Sequence, residues 1–267
     1  MDEVQLEIAK EIAKDVYADG GKPIVKPTGE LIGLVPRAIK AAFLPLEKWI
    51  MGKEYNLKET QKLLELKLQT VDPNFIQPPE AHVAVPALQY ISYCMDNEEL
   101  RDMYANLLAN SMNKVVKNGV HPGFVEIIKQ LCPDEAKILQ AISLNNDIAP
   151  TISLRYINDK GEGITIIEDF SDIGEKANCE QPLQIKNYFD NLKRLGIIHT
   201  KFLASLINNQ LYETVINHPY ILSKMEVPEN YSNLGYNKTH VEKGYYKLSA
   251  YGKAFCSICL SSTLVLK

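Results

Sequence analysis

The sequence predicts a mainly α fold: an N-terminal helical bundle followed by a winged-helix-like α+β C-terminal half. Three observations predict it. Within Asn97–Val115, Leu100, Met103, Tyr104, Leu107, Leu108 and Val115 form one apolar stripe at helical spacing. Thr151–Ile157 and Ile164–Phe170 are β-rich runs joined by Asp159-Lys160-Gly161-Glu162-Gly163, the pattern of a hairpin. Pro182–Leu195 keeps Ile185, Phe189, Leu192 and Leu195 on one helical face, and Gly196 follows as a stop.

The other elements fall in order around these. Val4, Ile8, Ile12 and Val16 recur every fourth residue up to Gly20-Gly21, an amphipathic helix with a glycine end. From Pro27 to Met51 the chain turns apolar and is punctuated by Pro36 and Pro45, so short helices are expected to restart at each proline. Leu57–Gln69 is a Leu-rich helix, Val71–Pro79 a proline-rich loop, and a helix resumes near Pro79. Asp96 and Glu99 have capping-box spacing for the helix that follows. Phe124–Leu131 is a short helix, and Pro133 opens the next with Asp134 and Glu135 in its first turn, where the helix dipole favours acids. Helical character returns near Ser171. Ile197–Leu203 and Tyr245–Ser249 read as strands and Lys253–Leu260 as a last helix. Helix, hairpin, two helices and two further strands give a winged-helix order, with the excursion Asn208–Lys243 in the place of the wing and a helix at Asn209–Ile216. Two domains are therefore expected, 1–131 as the bundle and 132–267 as the winged-helix-like unit, with an insertion near 208–243.

Composition narrows the function classes. Hydrophobic residues at 46% and charged residues at 23% are globular averages, and a formal charge of −4 disfavours a polyanion-binding surface over the whole chain. Met1–Lys14 mixes acids with apolar residues, unlike a secretory leader, and no long uncharged apolar run occurs, so a cytoplasmic location is expected. Five scattered cysteines, Cys94, Cys132, Cys179, Cys256 and Cys259, read as reduced thiols. Charge is uneven, however. Lys22–Lys53 sets six basic residues, among them Arg37, Lys40 and Lys48, against Glu30 and Glu47. It also places Ile39, Phe43, Leu46 and Ile50 on one side and holds Trp49, the single tryptophan. Such a segment suits either a core-packed helix pair or contact with a membrane or partner surface. Lys186, Lys193, Arg194 and Lys201 oppose Asp190 and form a second basic group, the candidate nucleic-acid contact.

A run of motifs gives the chain a family likeness. They are Val85-Pro86, Asp96–Met112 with its Ala105-Asn106-Leu107-Leu108-Ala109 centre, and Val120–Leu131 with His121, Pro122 and Phe124. Pro133-Asp134-Glu135-Ala136-Lys137-Ile138-Leu139 follows, and Asn191–Ile198 and Leu248-Ser249-x-x-Gly252 are weaker echoes. On these residues the chain resembles the Abi-alpha family of bacterial abortive-infection proteins, a family of largely unknown function. The resemblance implies a role in defence against phage and carries no catalytic or binding residues with it.

Chemical motifs are sparse. Cys256-x-x-Cys259 has the spacing of half a zinc site or a redox pair, but no second pair accompanies it, and the two positions equally suit buried residues of a helix. His121 is a candidate acid or base with no nucleophile in a recognisable local signature; the structural expectation is a ring that hydrogen-bonds a backbone carbonyl and locks a turn. Asp134/Glu135 and Glu168/Asp169 are sequence neighbours that point apart, so neither is a ready carboxylate dyad. Gly29 and Gly33 lack the lysine and serine of a phosphate loop. No cofactor and no small-molecule site is recognised. The leading expectation is a non-enzymatic defence protein, an infection sensor or a growth-arresting effector, that binds a protein partner, its own copy or a phage or host component. A winged-helix DNA-binding regulator is the alternative, and an enzyme with a site assembled from distant residues is the third.

Overall fold

A computed structural model describes residues 57–200 and 204–260, together with Arg37 and Ile39. The expected helix at Val4–Val16 and most of the Pro27–Met51 segment lie outside the described residues. What is described is a mixed α+β architecture in which helices surround one antiparallel sheet.

The first helices form because each offers one apolar face. In α1 (Leu57–Leu68), Thr60, Leu64 and Leu68 are buried at four-residue spacing while Leu66 faces outward. α2 (Ala81–Ile91) buries Val83, Ala84, Ala87, Leu88 and Ile91. Both pack on α3 (Glu98–Met112), whose residues from Met103 to Met112 are all buried. The cap of α3 is Asn97, one residue after the expected Asp96: its side chain accepts from the Leu100 amide at 3.0 Å. The helix also ends earlier than its apolar stripe suggests. At Asn113 the backbone turns extended and bridges Ile76, with the Lys114 amide donating to the Phe75 carbonyl, and this carries Val115 out to 47% exposure. α4 (Gly123–Lys129) and α5 (Pro133–Leu144) follow as short helices.

Asn146 and Asp147, both at positive φ, turn the chain sharply from α5 into β1 (Ile148–Ile157). β1 and β2 (Gly163–Phe170) form the expected hairpin, closed by Asn158, whose side-chain oxygen accepts from the Lys160 and Glu162 amides. Two helices, α6 (Ile173–Lys176) and α7 (Ile185–Arg194), lead to β3 (Ile198–His199). α7 closes as a Schellman motif: Gly196 at φ +72° donates to Lys193 and Ile197 donates to Leu192. Ile185, Phe189 and Leu192 are buried, and Leu195, expected inward with them, is half-buried.

The segment after β3 departs from a wing. It folds back as α8 (Glu213–Ile216), α9 (Pro219–Leu222) and α10 (Glu229–Ser232), and the expected helix at Asn209–Ile216 is a 3₁₀ turn at Asn209–Tyr212 running into α8. Tyr212, Val215 and Ile221 are buried. The Tyr156 hydroxyl donates to the Lys224 carbonyl at 2.9 Å, so the face of β1 that carries Ile152, Leu154 and Tyr156 is turned to this segment. The opposite face carries Ala149, with Tyr246 of β4 (Lys238–Leu248) packed at 4.5 Å against Phe189 of α7. β4 begins seven residues before the expected Tyr245, because it pairs with β1 throughout, from Lys238 opposite Ile157 to Lys247 opposite Ile148. The sheet order is β2-β1-β4-β3.

The last helix, α11 (Ala250–Cys259), joins the two halves of the structure. At its start the Ser249 hydroxyl accepts from Gly252 and donates to the Gly196 carbonyl, while the Ser249 amide donates to Ile197. A Cβ on Gly252 would lie 2.1 Å from the Ile197 carbonyl oxygen, so this close approach requires glycine. At its end Asn106 and Asn110 of α3 donate to the Cys259 and Ile258 carbonyls at 2.9 and 2.8 Å. One continuous cluster of buried apolar residues runs from Leu64 through α3, α5 and the sheet to Cys259.

Leu192, fully buried at the centre of the α7 face, tests this packing. Leu192→Ala is expected to lower unfolding free energy by about 2–5 kcal/mol, and the exposed neighbour change Lys193→Ala by less than about 0.5 kcal/mol, both read from urea unfolding. Equal effects would contradict the burial of the α7 face.

Candidate functional site

The His121-Pro122 turn starts α4. The ring of His121 is exposed, and its Nδ1 accepts from the Gly123 amide at 3.0 Å, with the Tyr251 hydroxyl 3.3 Å away. The expected hydrogen bond to a carbonyl is therefore replaced by one from an amide, which fixes the neutral ring as the Nε2–H tautomer. Phe124, buried one turn on, stacks at 5.3 Å with Tyr251 and at 5.4 Å with Phe255 of α11. His121 and Phe124 thus fasten α4 to α11, while Pro122 stays exposed.

Asp134 and Glu135, at the first turn of α5, are buried and reach in different directions. Asp134 accepts from the Glu180 and Gln181 amides at 2.9 and 3.1 Å and from the Tyr188 hydroxyl at 2.9 Å, with Lys137 3.9 Å away. Burial opposes ionisation of its carboxyl, but the two amides, the hydroxyl and Lys137 outweigh burial and hold it below the usual carboxylate range. Glu135 accepts from the Cys132 amide at 2.8 Å, closing the turn, and from the Asn191 side chain at 2.8 Å. The pair clamps α7 and the loop before it onto α5.

The exposed face of α7 brings together three of the four candidate nucleic-acid contacts. Lys186 is bound to Asp190 at 2.6 Å and lies 3.9 Å from Glu168. Arg194 donates to Asn191 and to the Gln130 side chain at the end of α4. Lys193 is exposed and has no ion-pair partner among the described residues. Lys201 lies outside the described residues. So do Lys40, Lys48 and Trp49 of the basic segment; Arg37 is exposed, and Ile39 of its apolar side is buried in the core at 1% exposure.

Cys256 and Cys259 are buried on α11, and burial pushes the Cys256 thiol up to about 12 and the Cys259 thiol well above its ordinary value. Thiols so far from ionising pack as small apolar groups. Among the described residues no three His, Cys, Asp or Glu side chains are placed to hold a metal ion, and no helix is long and apolar enough to cross a membrane. The polar residues that sequence reasoning passed over are Asn106 and Asn110. Their signal was present: two amides four residues apart inside a buried apolar run require partners, since burying an unpaired amide is costly.

Asp134 gives a pH test. Its folded-state pKa is depressed, so its contribution is present above the unfolded carboxyl value of about 3.9 and is lost as pH falls through the folded value. Asp134→Asn is expected to cost about 1.5–3 kcal/mol at neutral pH, with the difference from the parent shrinking in acid. A constant difference from pH 7 to below pH 3, followed by thermal unfolding, would remove Asp134 as an anionic clamp.

No curated protein matches the chain. A solved structure of an uncharacterized protein from the hydrocarbon-degrading marine bacterium Alcanivorax borkumensis SK2 shares 15% identity at a TM-score of 0.33, covering 52% of this chain and 92% of that one. The family model described as abortive infection alpha matches residues 52–259, a span that takes in the His121 turn, the Asp134/Glu135 clamp, the α7 face and all of α11. The chain belongs to the abortive infection alpha family.

Proposed function

We propose that this protein is a bacterial anti-phage abortive-infection protein that acts by binding a protein partner rather than by catalysis. The observation that carries the reading is the family match over residues 52–259, whose description is abortive infection. How the buried polar groups are used supports the non-catalytic part: Asp134, Glu135, Asn106 and Asn110 each hold one element against another. The binding face in this reading is the outer side of α7, where exposed Asn187, Lys193 and Arg194 adjoin Gln130. Full-length protein expressed in bacteria is expected to reduce phage yield while the infected cells die. The double change Lys193→Glu/Arg194→Glu, which also breaks the Arg194 hydrogen bonds to Asn191 and Gln130, abolishes that effect while the protein stays folded at growth temperature. Protection that survives the double change removes α7 as the face, and an unaltered phage yield across a broad panel removes the defence role.

A winged-helix DNA-binding regulator is the second reading, and the helix α5 before β1, the two helices before β3 and the β1-β4-β3 strand order favour it. Its charge is smaller than the sequence suggests, because Lys186 is engaged by Asp190. With Lys193, Arg194 and Lys201 on three phosphates, the counterion slope is about −2.7, so raising salt from 50 to 200 mM weakens duplex binding about 40-fold. Gel retardation that is absent at low salt, or that ignores salt, defeats this reading.

A further inference from the structure

β4 is a long strand with a short neighbour. β3 meets only its last residues, Ile198 pairing with Leu248 and His199 with Lys247, whereas β1 accompanies β4 from Lys238 to Lys247. Two hydrogen bonds set which backbone groups face outward: the Leu248 amide donates to Asp147 at the head of β1, and the Ser249 amide donates to Ile197 beside β3. Strand alternation then turns the amides and carbonyls of Thr239, Val241, Lys243 and Tyr245 away from β1. Among the described residues no strand pairs with these four. Such an edge is a template for another chain, and proteins commonly blunt it with bulges, prolines or charges. The opposite edge of the sheet is blunted, since β2 shifts register twice against β1 and holds Asp169 at φ +48°. β4 keeps one register along β1 and contains no proline. Its edge lysines are drawn aside, Lys238 to Asp159 at 2.7 Å and Lys243 to the Asn209 side chain at 2.9 Å.

We infer that β4 pairs with the β4 of a second copy of this chain, antiparallel about a two-fold axis at Val241, which joins two four-stranded sheets into one. Charge complementarity selects this occupant and this register. Around Val241, His240 of each copy lies opposite Glu242 of the other, Thr239 opposite Lys243, and Lys238 opposite Gly244, so no like charges face each other. His240 and Glu242 are exposed, and their facing positions are the closely spaced kind, with Cα atoms about 4.5 Å apart. Glu242 holds Arg155 at 2.8 Å through one carboxylate oxygen, which leaves the other for the facing histidine. Moving the axis by one residue sets His240 against His240 or Glu242 against Glu242, and moving it to Lys243 sets lysine against lysine. On the Val241 axis the two copies exchange backbone hydrogen bonds at Val241 with Val241 and at Thr239 with Lys243, the groups that point outward.

The inference does not rest on the α7 reading of partner binding. Sedimentation velocity of the full-length chain from low to high micromolar concentration is expected to show a reversible dimer. His240→Glu, at an exposed position, sets two carboxylates opposite each other at both ends of the register and is expected to weaken association about tenfold, while His240→Lys strengthens it about fivefold. Amide hydrogen exchange reads the register. The Thr239, Val241 and Lys243 amides are expected to slow as concentration rises, while the His240 and Glu242 amides, which face β1, stay protected at every concentration. The inference is overturned by a chain that remains monomeric at high micromolar concentration, by His240→Glu and His240→Lys variants that associate as the parent does, or by Thr239, Val241 and Lys243 amides whose exchange ignores concentration.

Discussion

The structure depends on the docking of its last helix. α11 begins against the Gly196–Ile197 turn that ends α7 and finishes against Asn106 and Asn110 of α3, so both of its ends are held by backbone groups or amides of other elements. The free carbonyls at a helix end are a liability when buried. Here two of them accept from asparagines on a neighbouring helix, which turns the liability into the join between the N-terminal helices and the sheet. The opposite end admits no side chain at Gly252, and that fixes how near the helix stands to β3. His121, Phe124 and Tyr251 add a lateral contact between α4 and α11.

Sequence legibility followed the range of the interactions. The hairpin and α7 were readable because their determinants are local: a turn with Asn158 and Gly161, and an apolar stripe closed by Gly196. The end of α3 was not, because Asn113 leaves the helix to pair with Ile76, a neighbour across a loop. The start of β4 was hidden by Lys238, His240, Glu242 and Lys243, residues with little strand character that pair because β1 offers them a complete partner. The segment before β4 reads as an excursion, and only the buried side chains of Tyr212, Val215 and Ile221 reveal it as the cover of a second sheet face.

The candidate site was legible to a similar extent. His121 and Asp134 stood out as motif residues, but the partners that define their work, Tyr251 and the Glu180–Gln181 amides, lie far along the chain. The basic group on α7 was visible as composition. Its reduced strength was not, since Glu168 approaches Lys186 only through folding of the hairpin, and Gln130 meets Arg194 only through packing of α4.

Held at both ends, α11 is expected to make the helices and the sheet one cooperative unit. Native-state amide hydrogen exchange tests it most directly, by comparing the opening free energies of α3 at Leu107 and Leu108 with those of β1 at Ile152 and Leu154. The slowest amides of both elements are expected to open together, and Asn106→Ala/Asn110→Ala is expected to separate them. Sheet amides that open independently of α3 in the unaltered protein would contradict it.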